Sequence, residues 1–99
     1  MSNDADQLNV VHNPDASRFE VRLGDDLAVI EYKMVDGDIA FTHTEVPPAF
    51  EGMGVGAKLA QVALDYAQAE GMTVQALCPF VNSYVKRHAA YQPITRGFM

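Results

Sequence analysis

Up to residue 46 the apolar positions of this chain recur at every second residue, and from residue 55 they recur at every third or fourth. Within residues 18–23, Phe19, Val21 and Leu23 fall on one face and Arg18, Glu20 and Arg22 on the other, the mark of a half-buried strand. Residues 27–34 (LAVIEYKM) and 38–46 (DIAFTHTEV) are two further runs of strand formers. They are joined through Asp36-Gly37, a dipeptide that favours a tight hairpin. Gly24-Asp25-Asp26 reads as the preceding turn, and residues 10–12 as a short extra strand ahead of an Asn13-Pro14-Asp15 turn. The first half is an antiparallel meander.

Pro47 and Pro48 stop that pattern, and glycines follow at positions 52, 54 and 56. A helix begins at once, with Val55, Leu59, Val62, Tyr66 and Ala69 as its apolar stripe. Ala57, Ala60, Ala63 and Ala67 raise helix propensity and permit close packing, and Gly71 ends the helix. Residues 73–78 (TVQALC) read as a buried strand, and Pro79 opens a second helix whose inner face is Val81, Tyr84, Val85 and His88. Pro93 ends regular structure. The order β-β-β-loop-α-β-α predicts an α+β fold with a mixed sheet. The strands on either side of the long helix should be parallel neighbours joined by a right-handed crossover. One domain over residues 9–93 is expected, between a loose polar tail at 1–8 and a C-terminal tail at 94–99 with no assigned element.

Composition narrows the class. With 99 residues, 48% hydrophobic and 20% charged, the chain is an ordinary small globular domain. A single cysteine excludes an intrachain disulfide and a multi-cysteine metal cluster, and it suits a reducing, cytoplasmic compartment. No apolar run reaches the ~20 residues of a membrane span, and no membrane partner is expected. The net charge of −6 argues against a nucleic-acid partner. Residues 1–50 carry ten acids against three bases, whereas residues 51–99 carry three acids against four bases. An anionic ligand is therefore tolerated by the second half, and a cationic one is favoured by the first, unless the acidic half is simply a solvated surface.

A glycine-rich loop before a helix lets phosphates approach free backbone amides. The run GMGVGAK does not match a P-loop, because Lys58 is preceded by alanine and followed by leucine, and it misses the dinucleotide fingerprint by one residue. In EGMGVGAKL, however, Glu51, Gly54 and Gly56 stand where motif A of the GNAT acetyltransferase superfamily has Gln/Arg, Gly and Gly/Ala. Residues 43–88, from His-Thr-Glu-Val-Pro through the glycine loop to the cysteine before the last helix, resemble the short single-domain members of that superfamily.

The resemblance implies an acetyl-CoA-dependent N-acetyltransferase, with acetyl-CoA as cosubstrate and a splayed parallel strand pair receiving its pantetheine arm. Val46 would face that arm. Gly52, Met53, Gly54, Val55, Gly56, Ala57 and Lys58 would line the pyrophosphate. Pro47 and Pro48, which cannot donate to a ladder, would force the strands apart. Lys86 and Arg87 either reach the outer phosphates or merely place positive charge at a helix C-terminus. The acceptor would be an amine on a small molecule or on a protein or peptide, and the chain a monomer or homodimer. A non-catalytic CoA-binding module is the alternative.

Chemistry must come from other residues. Alternation places Ile39, Phe41, His43 and Glu45 on one face, so His43 and Glu45 are either a base or substrate ligand in a cleft or a strand end emerging into water. Cys78 would cap the second helix, whose dipole favours the thiolate. It is either a nucleophile or wall beside the thioester, or a small buried strand residue. Direct transfer is the favoured route, with a strand amide as oxyanion donor. Tyr84 and Tyr91 are candidate acids for the departing thiolate, with Tyr84 also suited to the core.

Overall fold

The computed structural model describes residues 9–99; the tail expected over 1–8 lies outside the described residues. Five strands lie side by side in chain order: β1 (Val11–Asn13), β2 (Arg18–Leu23), β3 (Asp26–Val35), β4 (Asp38–Glu45) and β5 (Val74–Ala76). The first four are antiparallel, and β5 joins β4 in parallel through the helix α1 (Val55–Ala69). The helix α2 (Pro79–Arg87) follows β5, with Pro79 in its first turn as expected. The Asp36-Gly37 hairpin turns with both residues at positive φ, 52° and 86°, the conformation that matches the strand twist. This is the mixed α+β sheet that the sequence predicts. Among the described residues no helix is long and apolar enough to cross a membrane.

Both helices share one core with one face of the sheet. Phe19, Val21, Ile30, Ile39 and Phe41 of the sheet meet Leu59, Ala63, Leu64 and Ala67 of α1 and Val81, Tyr84 and Val85 of α2. The buried stripe of α1 is turned from the expected one. Val55 and Leu59 are buried, but the face then runs through Ala60, Ala63, Leu64 and Ala67, while Val62 and Tyr66 are half-buried and Ala69 is exposed. Small alanines let the helix axis approach the sheet, so close packing outweighs the larger side chains. Tyr66 instead closes an aromatic cluster at the margin, 5.6 Å from Phe19 and 4.6 Å from His12. His12 stacks on Phe19 and bonds the Tyr32 hydroxyl through Nε2 at 2.7 Å.

His88 also departs from expectation. It lies beyond α2 as its C-cap and is exposed, with its ring stacked on Tyr84 at 3.8 Å and Nδ1–H donating to the Tyr84 carbonyl at 2.8 Å. A 3-10 segment, Ala89–Ile94, contains Pro93, and Gln92 Nε2 donates to the Lys86 carbonyl and to the Val85 carbonyl, which also accepts the His88 amide.

The residues after 94 are docked against the sheet. Thr95 is fully buried and bridges Val74 in parallel, and the Arg96 amide donates to the Val74 carbonyl at 2.9 Å. The Arg96 guanidinium pairs with Asp38, which also accepts from Gln75 Nε2 at 2.9 Å. Arg96, then Gln75, hold the Asp38 carboxyl below the usual carboxylate range. A native pKa below the unfolded one means that this clamp stabilises above the unfolded pKa and fades as pH falls through the native one. Asp38→Asn is therefore expected to lower the melting temperature at pH 7. Thermal scans from pH 7 downward should show the gap from the parent protein closing in acid, and a gap independent of pH would refute the clamp.

Candidate active site

One buried ring anchors the loop between β4 and α1. Pro48–Phe50 form a single 3-10 turn in which Phe50 is buried between exposed Ala49 and Glu51. Burying that ring contributes about 1.5–3 kcal/mol. Stacked turns lead on to the helix, with Phe50 N donating to Pro47 O, Glu51 N to Pro48 O and Met53 N to Phe50 O, at 3.0, 3.0 and 3.1 Å. Gly54 is the N-cap of α1 in a left-handed conformation, φ 72°, which costs a residue bearing a Cβ about 1–2 kcal/mol. No side chain caps α1, and no acid occupies its first turn. The amides of Val55, Gly56 and Ala57 thus present the positive end of the helix dipole outward.

Gly56 is glycine for a different reason. Its φ is not left-handed, but a Cβ there would lie 2.9 Å from Cζ of Phe80 in α2. The absent side chain makes room for an aromatic ring, which locks the starts of the two helices together.

Beside this loop the parallel strands part. Pairing of β4 with β5 covers Ile39–Phe41 against Val74–Ala76, and its last link is the Cys78 amide on the Phe41 carbonyl at 2.9 Å. β4 continues to Glu45, whereas Pro79 turns the other chain into α2. Thr42 to Glu45 consequently border a gap with no strand on that side. The sequence assigns this parting to Pro47 and Pro48, but it occurs earlier, at Thr42, and the proline that ends the partner strand is Pro79.

Thr42 is also where the register slips. Tyr32 pairs with Phe41 and Glu31 with His43, so Thr42 is an extra residue without a partner, a β-bulge. Directly opposed residues share a face. Thr44, opposite Ile30, therefore continues the core face of Phe41, while His43, opposite Glu31, and Glu45, opposite Val29, are thrown to the other face. The expectation that Ile39, Phe41, His43 and Glu45 share one face fails for this reason. His43 and Glu45 do come together, with Nε2 and Oε1 3.4 Å apart and their side chains 55% and 69% exposed.

Cys78 caps α2 as expected, is buried, and lies on the core face, its Sγ 3.1 Å from Oγ1 of Thr44. The bulge thus separates two pairs, Cys78–Thr44 on the helix side and His43–Glu45 on the open side. Of the expected cofactor residues, Gly52, Gly54 and Ala57 are exposed, as is Val46, while Met53, Gly56 and Lys58 are half-buried. The Val55 side chain is buried, so only its amide is available. Lys86 and Arg87 close the far end of α2, about 12 Å along the helix from Cys78, and Arg87 donates to Ser83 Oγ at 2.9 Å.

The two tyrosines face inward. Tyr84 is buried between His88 and Tyr91, and Tyr91 donates its hydroxyl to Asp65 of α1 at 2.7 Å. Burial first, then the Asp65 carboxylate, push the Tyr91 phenol far above its ordinary range. Burial also raises Tyr84. Sequence reasoning missed Thr44, Phe50, Phe80 and Glu31. Phe50 had a signal, as a lone aromatic between two prolines and a glycine run, and Phe80 could be sought as the partner of a mid-turn glycine.

Comparison with known proteins agrees with this geometry. A family model for GCN5-related N-acetyl-transferases matches residues 18–94. The chain belongs to the GCN5-related N-acetyltransferase family. Within it, the chain is similar to Protein NATD1 of Mus musculus, 35% identical over 92 residues that cover 90% of this chain and 84% of that protein. Protein NATD1 of Homo sapiens is likewise 35% identical over 90% of this chain and 81% of its own length. The solution structure of a GCN5-like protein from Staphylococcus aureus superposes with a TM-score of 0.72 at 30% identity, covering 98% of this chain and 92% of that one. The fold and the family are those that the glycine loop suggested.

The close approach at Gly56 has a measurable cost. Gly56→Ala should lower the melting temperature by displacing the Phe80 ring, and the loss should shrink in a Phe80→Leu background. A double-mutant cycle read by thermal unfolding checks it, with additivity of the two changes as the contrary result.

Proposed function

We propose that the protein is a minimal acetyl-CoA-dependent N-acetyltransferase that transfers acetyl directly to an amine. The observation that carries this reading is the parting of β4 and β5 at Thr42 and Cys78, beside the uncapped start of α1. A strand-like pantetheine arm suits the open edge of β4, which offers unpaired backbone groups as a sheet edge does. The pyrophosphate suits the amides from Gly54 to Ala57, where the helix dipole and the absence of acids in the first turn favour negative charge. Lys58, half-buried as a residue, adds a cation to that turn.

Transfer requires a neutral amine, a stabilised oxyanion and a proton for the thiolate. An ionised Glu45 can only accept, so the hydrogen bond to His43 makes Nε2 the donor and leaves Nδ1 free to take the amine's proton. The amine nitrogen then bonds to the thioester carbon, the C–S bond breaks, and the nitrogen's second proton passes to the departing sulfur, which leaves as a thiol. A backbone amide at the Thr42 bulge is the candidate oxyanion donor. Cys78, buried and turned to Thr44, forms the wall beside the thioester. Its free thiol suits a reducing, cytoplasmic setting.

Two measurements test the reading. Native mass spectrometry should show one acetyl-CoA adduct per chain, and no adduct at millimolar ligand would exclude both an enzyme and a CoA-binding module. Thiol release over an amine panel should fall about 100-fold or more in His43→Ala and change little in Cys78→Ala. Accumulation of acetylated Cys78 before any acceptor is added would replace direct transfer by a two-step route.

A further inference from the structure

Both helices cover one face of the sheet, and the opposite face carries side chains whose order follows from the register. One row reads Val11, Glu20, Val29, Glu45 across β1 to β4, and the next reads Asn13, Arg18, Glu31, His43. His43 therefore has Glu31 directly across from it and Glu45 two residues along its own strand. Arg18, opposite Glu31, is turned to Glu20 at 3.4 Å, and Lys33 is the next residue on this face of β3. Among the described residues neither Glu31 nor Glu45 is within ion-pair distance of a lysine or arginine, and residues 1–8 contain none.

The same face is hollowed where β1, β2 and β3 meet. A cavity of ≈ 300 Å³ is lined by Asn9, Val11, Glu20, Arg22 and Leu27. That volume is at the low end of the about 300–1,000 Å³ that holds small ligands. Glu20, which lines the hollow, and Glu45 belong to one row and are separated only by Val29. At the usual strand spacing they lie about 10 Å apart. The hollow and the His43–Glu45 pair are thus two parts of one surface, with a nearly buried valine between them.

We infer that the acceptor is an extended aliphatic primary amine that enters from the helix-free face, its ammonium end at Glu31, His43 and Glu45 and its chain laid over Val29 into the hollow at Val11 and Leu27. This rests on the acetyltransferase reading and adds the acceptor class to it. The carboxylates draw the ammonium form that predominates at neutral pH, and His43 removes its proton before attack. Val11, Leu27 and Val29 then distinguish amines by the length of chain that they cover. A short amine does not reach them.

The test uses the whole chain, n-hexylamine and ethylamine, with acetyl-CoA binding measured on the same samples. Thiol release should favour hexylamine by about tenfold in kcat/KM, the effect of covering about two methylenes. In Leu27→Asp that ratio should fall towards one. In Glu45→Gln, KM for hexylamine should rise. Titration of the ¹⁵N-labelled protein with hexylamine alone should shift the amides of Leu27, Val29, Glu31, His43 and Glu45. A ratio near one in the parent protein, a ratio unmoved by Leu27→Asp, or amide shifts confined to α1 and α2 would each overturn the inference. Failure to bind acetyl-CoA would refute the acetyltransferase reading separately, and the amide titration would still decide where the amine binds.

Discussion

The unpaired residue Thr42 in the fourth strand sets the directions of His43, Thr44 and Glu45. Without the bulge, β4 would keep strict alternation, His43 and Glu45 would point into the space under α2, and Thr44 would face solvent. Two exposed, titratable groups would then be turned to the helix side of the sheet beside Cys78, and desolvating them there carries a cost. Shifting the register by one residue reverses the assignment. The short hydroxyl of Thr44 goes inward to Cys78, and the imidazole and carboxylate go outward. The pairing of β4 with β5 ends at the same level, where Pro79 turns the partner chain into α2, so the bulge lies at the mouth of the gap and arms its outer rim.

The glycine-loop side depends on packing more than on polarity. The glycine loop is held from within by Phe50 and from the side by Phe80, which occupies the place of a side chain at Gly56. The first turn of α1 is left with free amides and no competing acid. The buried Phe50 ring and the half-buried Phe80 ring thus fix the backbone of this loop. Lys58 adds one cation to a surface otherwise built from main-chain dipoles.

Much of this was legible in the residues. Alternation gave the meander, the Asp36-Gly37 pair gave its hairpin, and the change of period at the prolines gave the crossover helix. The glycine loop pointed to a family because its spacing was joined to a strand before it and a cysteine after it. The faces of side chains were less legible. A bulge leaves no mark in the alternation of DIAFTHTE, because polar residues follow Phe41 in either register. The α1 stripe was misjudged for a related reason. Apolar size suggested Val62 and Tyr66, but the sheet selected the alanines that allow a shorter distance to the helix axis. Both errors concern tertiary fit, which short-range patterns do not encode.

The link from Thr44 to Cys78 spans 34 positions of the chain, whereas His43 and Glu45 are neighbours on a strand made by one tight hairpin. Closing a long crossover costs more chain entropy than closing a hairpin, and forms more slowly. The two halves of the candidate site therefore belong to different stages of folding. The outer pair exists as soon as β3 and β4 zip together, and the inner pair waits until α1 has docked and β5 has found its place. Any loss of order that peels β5 away parts Thr44 from Cys78 first and leaves the outer pair intact.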